Sequence, residues 1–283
     1  MATAILLVSC PDRKGIVADL AGFVTGRGGN IVALDQYVDP EEDVFFARME
    51  WDLEGFAGGY EGFGEAFAET AARHSMRWSL HRSDRRLRMG LMFSKQAHCL
   101  YDILARVDSG EWPVDIAVAV SNHEDHRELM ERRGIPFRYL PVTAADKAES
   151  EPRQIAALKE AGVDFVVLAR YMQILSPRFV AEWPMKIINI HHSFLPAFAG
   201  AKPYHAAHAR GVKIIGATAH YVTENLDEGP IIEQDVQRVS HRQGVKDLVR
   251  LGSDLEKIVL ARAVYWHLQH RVLVYGNRTV VFA

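Results

Sequence analysis

Ile187-Ile188-Asn189-Ile190-His191-His192-Ser193-Phe194-Leu195-Pro196 is the stretch from which the fold can be read. Three isoleucines follow the Pro184-Met185-Lys186 break and form a short apolar run, the pattern of a strand buried on both faces of a parallel sheet. Asn189 and His191 interrupt that run. Strand side chains alternate in direction, so the two polar groups share one face, with His191 at or near the carboxyl end of the strand. In open α/β sheets that end is where ligands bind. A carboxamide beside an imidazole can stabilise an oxygen that gains negative charge, which acyl transfer requires. Alone, such a pair could equally serve loop backbone.

A second stretch, Gly216-Ala-Thr-Ala-His-Tyr-Val-Thr-Glu-Asn-Leu-Asp-Glu-Gly-Pro230, places Asp227 in a polar loop between two β-rich runs, 214–222 and 231–236. If those runs lie beside the Asn189 strand, Asp227 closes the site. Asn189-Ile-His with Ser193-x-Leu-Pro, then His220-Tyr-Val-Thr and Leu226-Asp-x-Gly-Pro, resembles the catalytic half of formyltransferases that use 10-formyltetrahydrofolate. The longer string from Asn189 through Gly200-Ala-Lys-Pro-Tyr-His-x-Ala-His208 is similar to one branch, the formyltetrahydrofolate deformylases. That resemblance implies hydrolysis of the formyl group, with formate released for purine synthesis and one-carbon pools kept in balance.

The chain has 283 residues, 48% hydrophobic and 24% charged, enough apolar material for two cores. A net charge of -3 gives no basic field for nucleic acid. Cys10 and Cys99 are too few for a disulfide framework, and a reduced cytoplasm is the expected setting. The amino-terminal apolar run is strand-sized and lacks a basic region before it, so no signal peptide is expected. No run is long enough to span a bilayer.

Residues 1–84 read as a small unit of order β-α-β-β-α-β, the ferredoxin-like split arrangement. Strands are expected at 3–9, 30–37, 44–52 and 76–81, with helices at 13–25, capped by Asp12, and at 60–74. Asp12-Arg-Lys-Gly15-Ile-Val and Gly28-Gly29-Asn30-Ile resemble an ACT domain. The resemblance implies a regulatory module that pairs with another copy, making a homo-oligomer, and binds an amino acid near Asp12, Gly15, Gly29 and Asn30. Those glycines follow a helix instead of opening one, which argues against a dinucleotide site.

Residues 85–283 alternate strands and helices, which predicts a doubly wound, mostly parallel sheet. Strands are expected at 88–93, 114–120, 136–140 and 165–169, and helices at 96–107, 124–133 and 151–161. A long helix from Val245 should present Leu248, Leu251, Leu255, Ile258 and Val259 to the sheet. The first strand-to-helix connection, Phe93-Ser94-Lys95-Gln96-Ala-His98, has no glycine, whereas the purine-pathway transferase holds its acceptor's phosphate there on a Gly-rich loop. Backbone amides crowd around phosphate only where side chains leave room, so a phosphorylated acceptor is disfavoured and Ser94 and Lys95 are candidate substrate contacts.

The resemblance implies that 168–176, with Arg170, Tyr171, Met172 and Leu175, lines a pterin pocket. The loop Val222-Thr223-Glu224-Asn225-Leu226-Asp227 forms its opposite wall, with Gly229 a further expected contact. His192 and His220 complete the expected contacts, His220 as a partner of Asp227 or His191. His205 and His208 would share a helical face, yet no zinc-type spacing accompanies them; neither a metal nor another cofactor is expected. Asp227 can orient and deprotonate water while Asn189 and His191 hold the oxyanion. Transfer to an amine acceptor and a non-catalytic sensor are the alternatives.

Overall fold

A four-stranded antiparallel sheet is built from β1 (Thr3–Pro11), β2 (Ile31–Asp39), β3 (Val44–Asp52) and β4 (Arg77–Arg82) in the order β2-β3-β1-β4. Helices α1 (Ile16–Thr25) and α2 (Phe63–Arg73) complete the β-α-β-β-α-β order expected from the sequence. The protein is seen here as a computed structural model that describes residues 2–142, 147–196 and 203–283. Residues 197–202 of the deformylase-like string lie outside the described residues.

In β1 and β3 both faces carry apolar side chains. One face packs on the helices through Leu6, Val8, Met49, Trp51, Phe63 and Phe67. The other holds Leu7 and Phe46 against Phe282, with Leu273, Tyr275 and Val280 around them. Those last residues lie on β12 (Val272–Tyr275) and β13 (Arg278–Val281) or just beyond, two short strands that sequence periodicity did not reveal. The chain accordingly divides into a unit of 1–86, 269–275 and 280–283, and a second of 87–268 with 276–279. The expected split into 1–84 and 85–283 was drawn on a contiguous chain and therefore left residues 269–275 and 280–283 in the second domain.

Asp12 does not cap α1. Gly15 occupies that position in the left-handed region at φ 96, without a side-chain cap. The Asp12 backbone amide donates instead to the Asp43 carbonyl at 2.9 Å.

The second unit holds β5 (Leu87–Phe93), α3 (His98–Asp108), β6 (Val114–Ser121), α4 (Arg127–Glu131), β7 (Phe137–Tyr139), α5 (Lys147–Glu160), β8 (Phe165–Ala169) and α6 (Pro177–Glu182). β9 (Ile187–His191), α7 (Pro203–Arg210), β10 (Ile214–Tyr221), β11 (Ile231–Arg238) and α8 (Val245–Leu268) follow. The seven strands lie in the order β11-β10-β9-β8-β5-β6-β7. Pairing is parallel from β7 through β9, and β10 runs antiparallel to both neighbours. Val166, Val167, Ile187 and Ile188 are fully buried, as a strand covered on both faces requires.

The buried face of α8 differs from the expected stripe: Leu248, Gly252, Leu255, Glu256, Val259, Leu260 and Ala263 point inward while Ile258 is 41% exposed. A helix turns 3.6 residues per cycle, so over this length Leu260 and Ala263 take the face that Ile258 leaves. No helix among the described residues is long and apolar enough to cross a membrane.

Candidate active site

β9 and β10 bring the polar groups together. His220 lies opposite Asn189 across the ladder and Thr218 opposite His191. Cross-strand partners point to the same face, so the Asn189 amide Nδ2 donates to His220 Nε2 at 3.3 Å. His220 Nδ1 donates to the Tyr221 carbonyl at 3.0 Å, which orients the ring. A register shift between Ala219 and His220 in the β10–β11 ladder locally breaks the pairing beside the site.

Asp227 closes the group from the β10–β11 loop. Its Oδ2 accepts from His191 Nδ1 at 3.2 Å, and its Oδ1 lies 3.6 Å from His220 Nε2. Burial opposes ionisation of Asp227, but the hydrogen bond from His191 and the closeness of both imidazoles outweigh it and hold the carboxyl well below the usual carboxylate range. His191 is 6% exposed, and its Nε2 is buried with no protein partner among the described residues. A second amide hydrogen of Asn189 is likewise available to the cleft.

That cleft, open to solvent, runs along Leu168, Gln173, Ile174 and Leu175 on one side and residues 222–227 on the other, with Asn189, His220 and Asp227 at its floor. Both segments expected to wall a pocket do so. Leu175, Val222, Thr223 and Glu224 line it, together with Gln173, Ile174, Asn225 and Leu226 of the same two segments. Gly229 supports the loop: a Cβ there would come within 1.8 Å of the Tyr221 carbonyl oxygen.

Other expected contacts lie elsewhere. The Arg170 side chain is buried and turned away, its Nε donating to Gln96 Oε1 at 2.7 Å and lying 3.4 Å from Glu256 Oε2. Tyr171 is 2% exposed in the core, whereas Met172 is 58% exposed. Ser94 is buried and donates to Asn122 Oδ1 at 2.6 Å, while Lys95 is exposed. His192 lies beside His191, ring centroids 5.0 Å apart and the planes tilted by 40°, and burial together with the charges of Arg170 and His191 pushes its pKa down to about 4. In the first unit, Asp12 and Gly15 lie at one end of α1 and Gly29 and Asn30 at the other, about 15 Å away for ten helical residues. They do not form one pocket within a single copy of that unit.

Two groups escaped sequence reading. Thr218, fully buried, holds the loop after β9: its hydroxyl donates to the Ser193 carbonyl and accepts from the Leu195 amide and from Gln234 Nε2, all within 3.1 Å. Glu256, 1% exposed, bonds His98 Nε2 at 2.7 Å and the Tyr204 hydroxyl at 2.9 Å. Burial works against its charge, yet His98 and Arg170 hold its carboxyl below the ordinary range. His98, Cys99 and Glu256 could by spacing hold a metal ion. The Arg170 guanidinium already supplies the positive charge there, and burial pushes the Cys99 thiol up, away from the thiolate a metal would need. His205 and His208 lie exposed on α7.

The formyl transferase family profile matches residues 87–264, and the ACT domain profile residues 4–61. A formyltetrahydrofolate deformylase of Synechocystis sp. is 54% identical over 281 residues, covering 99% of both chains. The crystal structure of a formyltetrahydrofolate deformylase from Pseudomonas syringae pv. tomato superposes with a TM-score of 0.97 at 48% identity, covering 100% of this chain and 95% of that one. A glycinamide ribonucleotide transformylase from Symbiobacterium toebii reaches a TM-score of 0.66 at 31% identity, over 70% of this chain and 95% of its own. A site of carboxylate, imidazole and carboxamide at the end of β9, an ACT domain before it and near-complete matches to the hydrolytic relatives lead to one assignment: the chain belongs to the formyltetrahydrofolate deformylase family.

Proposed function

We propose that the protein hydrolyses 10-formyltetrahydrofolate to formate and tetrahydrofolate. The observation that carries the reading is the Asn189–His220–Asp227 set at the floor of an open cleft, with His191 bonded to Asp227 beside it. The pterin enters between 173–175 and 222–226, where backbone groups and apolar side chains suit a flat heteroaromatic ring. Its formyl oxygen meets His191 Nε2 and the free Asn189 amide hydrogen. Asp227 orients a water and takes its proton as the oxygen attacks the formyl carbon. The tetrahedral intermediate collapses, the carbon–N10 bond breaks, and N10 takes up a proton as formate leaves.

No metal is given a part in this scheme, and prolonged dialysis against a chelator should leave turnover intact; full metal content with activity lost on chelation would overturn that. We further read the first unit as a regulatory ACT module that takes an amino acid across a pair of copies in a cytoplasmic homo-oligomer. Calorimetric titration with glycine and methionine, followed by assay, tests it. The primary experiment is formate release with no acceptor added and Asp227→Ala as blank. Stoichiometric formate and tetrahydrofolate, absent in the variant, support hydrolysis; release only on addition of an amine identifies a transferase.

A further inference from the structure

The switch point of the seven-stranded sheet falls between β5 and β8, because the chain builds β6 and β7 on one side of β5 and β8 to β11 on the other. In open α/β sheets the crevice at that point is the usual place for a ligand. Here the open cleft lies one strand further along, over β8, β9 and β10. The crevice between the paired strand ends Phe93 and Ala169 is instead spanned by the chain's own side chains. Arg170, the residue after β8, sits in the left-handed region at φ 62 and reaches Gln96, three residues after β5. Glu256 of α8 approaches the same guanidinium and bonds His98 and Tyr204. Tyr204 is seated tightly: a Cβ on Gly252 would come within 1.9 Å of its hydroxyl. The wall continues to the reacting centre through His192, whose ring lies 6.1 Å from Tyr204 and 5.0 Å from His191.

A carboxylate and a guanidinium are costly to bury and are tolerated only when their bonds are made, as they are here. Their bonds go to Gln96, His98, Tyr204 and each other, and not to Asn189, His191, His220 or Asp227. We propose that the Glu256–Arg170–Gln96–His98–Tyr204 network is the specificity device of this site: it fills the place a formyl-accepting amine would occupy and leaves water as the nucleophile. The inference rests on the hydrolytic reading above. With the network in place, water oxygen bonds the formyl carbon, the carbon–N10 bond breaks and N10 gains the proton. With the crevice opened, an amine nitrogen forms that bond, and its proton passes to N10 while the formamide leaves.

The test is a partition experiment on the full chain: 10-formyltetrahydrofolate is supplied with increasing glycinamide, and formate and N-formylglycinamide are measured against the Asp227→Ala blank. Wild type is expected to give formate alone. Glu256→Ala with Arg170→Ala should give the formamide about tenfold above blank, the scale on which a lost steric barrier changes discrimination. Gln96→Gly with His98→Ala keeps the buried ion pair, so it guards against a folding failure, and should give the same product in smaller yield. A purely structural role would lower turnover without changing the product. The proposal is overturned if folded, folate-saturable forms of either variant give formate alone, or if wild type already makes the formamide. Wild type releasing no formate without glycinamide would instead remove the hydrolytic reading itself, and the proposal with it.

Discussion

Asp227 holds a backbone φ of 56, a region that non-glycine residues rarely adopt and that aspartate tolerates better than most. Such a conformation is retained where surrounding structure over-determines it, and here the two histidines fix the carboxylate it presents. Asp227→Ala should lower kcat by about 10²–10⁴ and Asn189→Ala by about 10²–10³, with melting temperatures little changed; near-normal turnover in either would falsify the assigned roles. His192 gives a pH signature. Its folded pKa of about 4 lies below the ordinary 6.5, so between those values the unfolded chain binds the extra proton. Stability therefore falls as pH drops from 6.5 toward 4, by on the order of 1–3 kcal/mol after allowing for solvent screening. Denaturant titrations at several pH values should show that slope flattened in His192→Asn. That Asn189, His191 and Asp227 come together was legible because two polar residues broke an apolar strand and a third sat in a polar turn. Thr218 and Glu256 were not: a threonine in a strand and a glutamate in a helix look ordinary until a distant loop or an arginine is brought against them.

Elements were read best where one period dominated. The strand runs at 114–120 and 165–169 and the split order of 1–84 follow directly from apolar spacing. Helix α6 was hidden by its brevity despite the Ser176 cap, whose hydroxyl accepts from the Phe179 amide at 3.3 Å. The pairing of β10 between β9 and β11 was conditional, since sequence does not state which strands are neighbours. The loop from β10 to β11 depends on a close backbone approach: the Tyr221 amide donates to the Pro230 carbonyl at 2.9 Å, and Gly229 packs on the Tyr221 carbonyl. Gly229→Ala should therefore move the loop that carries Asp227. A stability loss of about 1–3 kcal/mol is expected, with a larger fall in kcat than in folate affinity. Unchanged kinetics in a folded Gly229→Ala protein would show that the loop has another anchor.

Across the whole molecule, the two-unit organisation was readable from composition and order, but the return of residues 269–275 and 280–283 to the first unit was not. Short strands of partly buried residues such as Val272–Tyr275 carry no periodic signal strong enough to place them. Their contribution is measurable. Phe282 is 6% exposed against Leu7 and Phe46, so Phe282→Ala should cost about 3–5 kcal/mol of the first unit's stability. Calorimetry should show that unit's transition lowered, with formate release at low temperature unaffected. The discontinuity also orders events during synthesis. The first unit's helices can cover one face of its sheet early, but Leu7 and Phe46 on the opposite face must wait until the entire second unit has been translated before Phe282 arrives. Throughout that interval an apolar β-surface is left bare on the nascent chain, which makes residues 1–86 the segment most dependent on chaperone shielding.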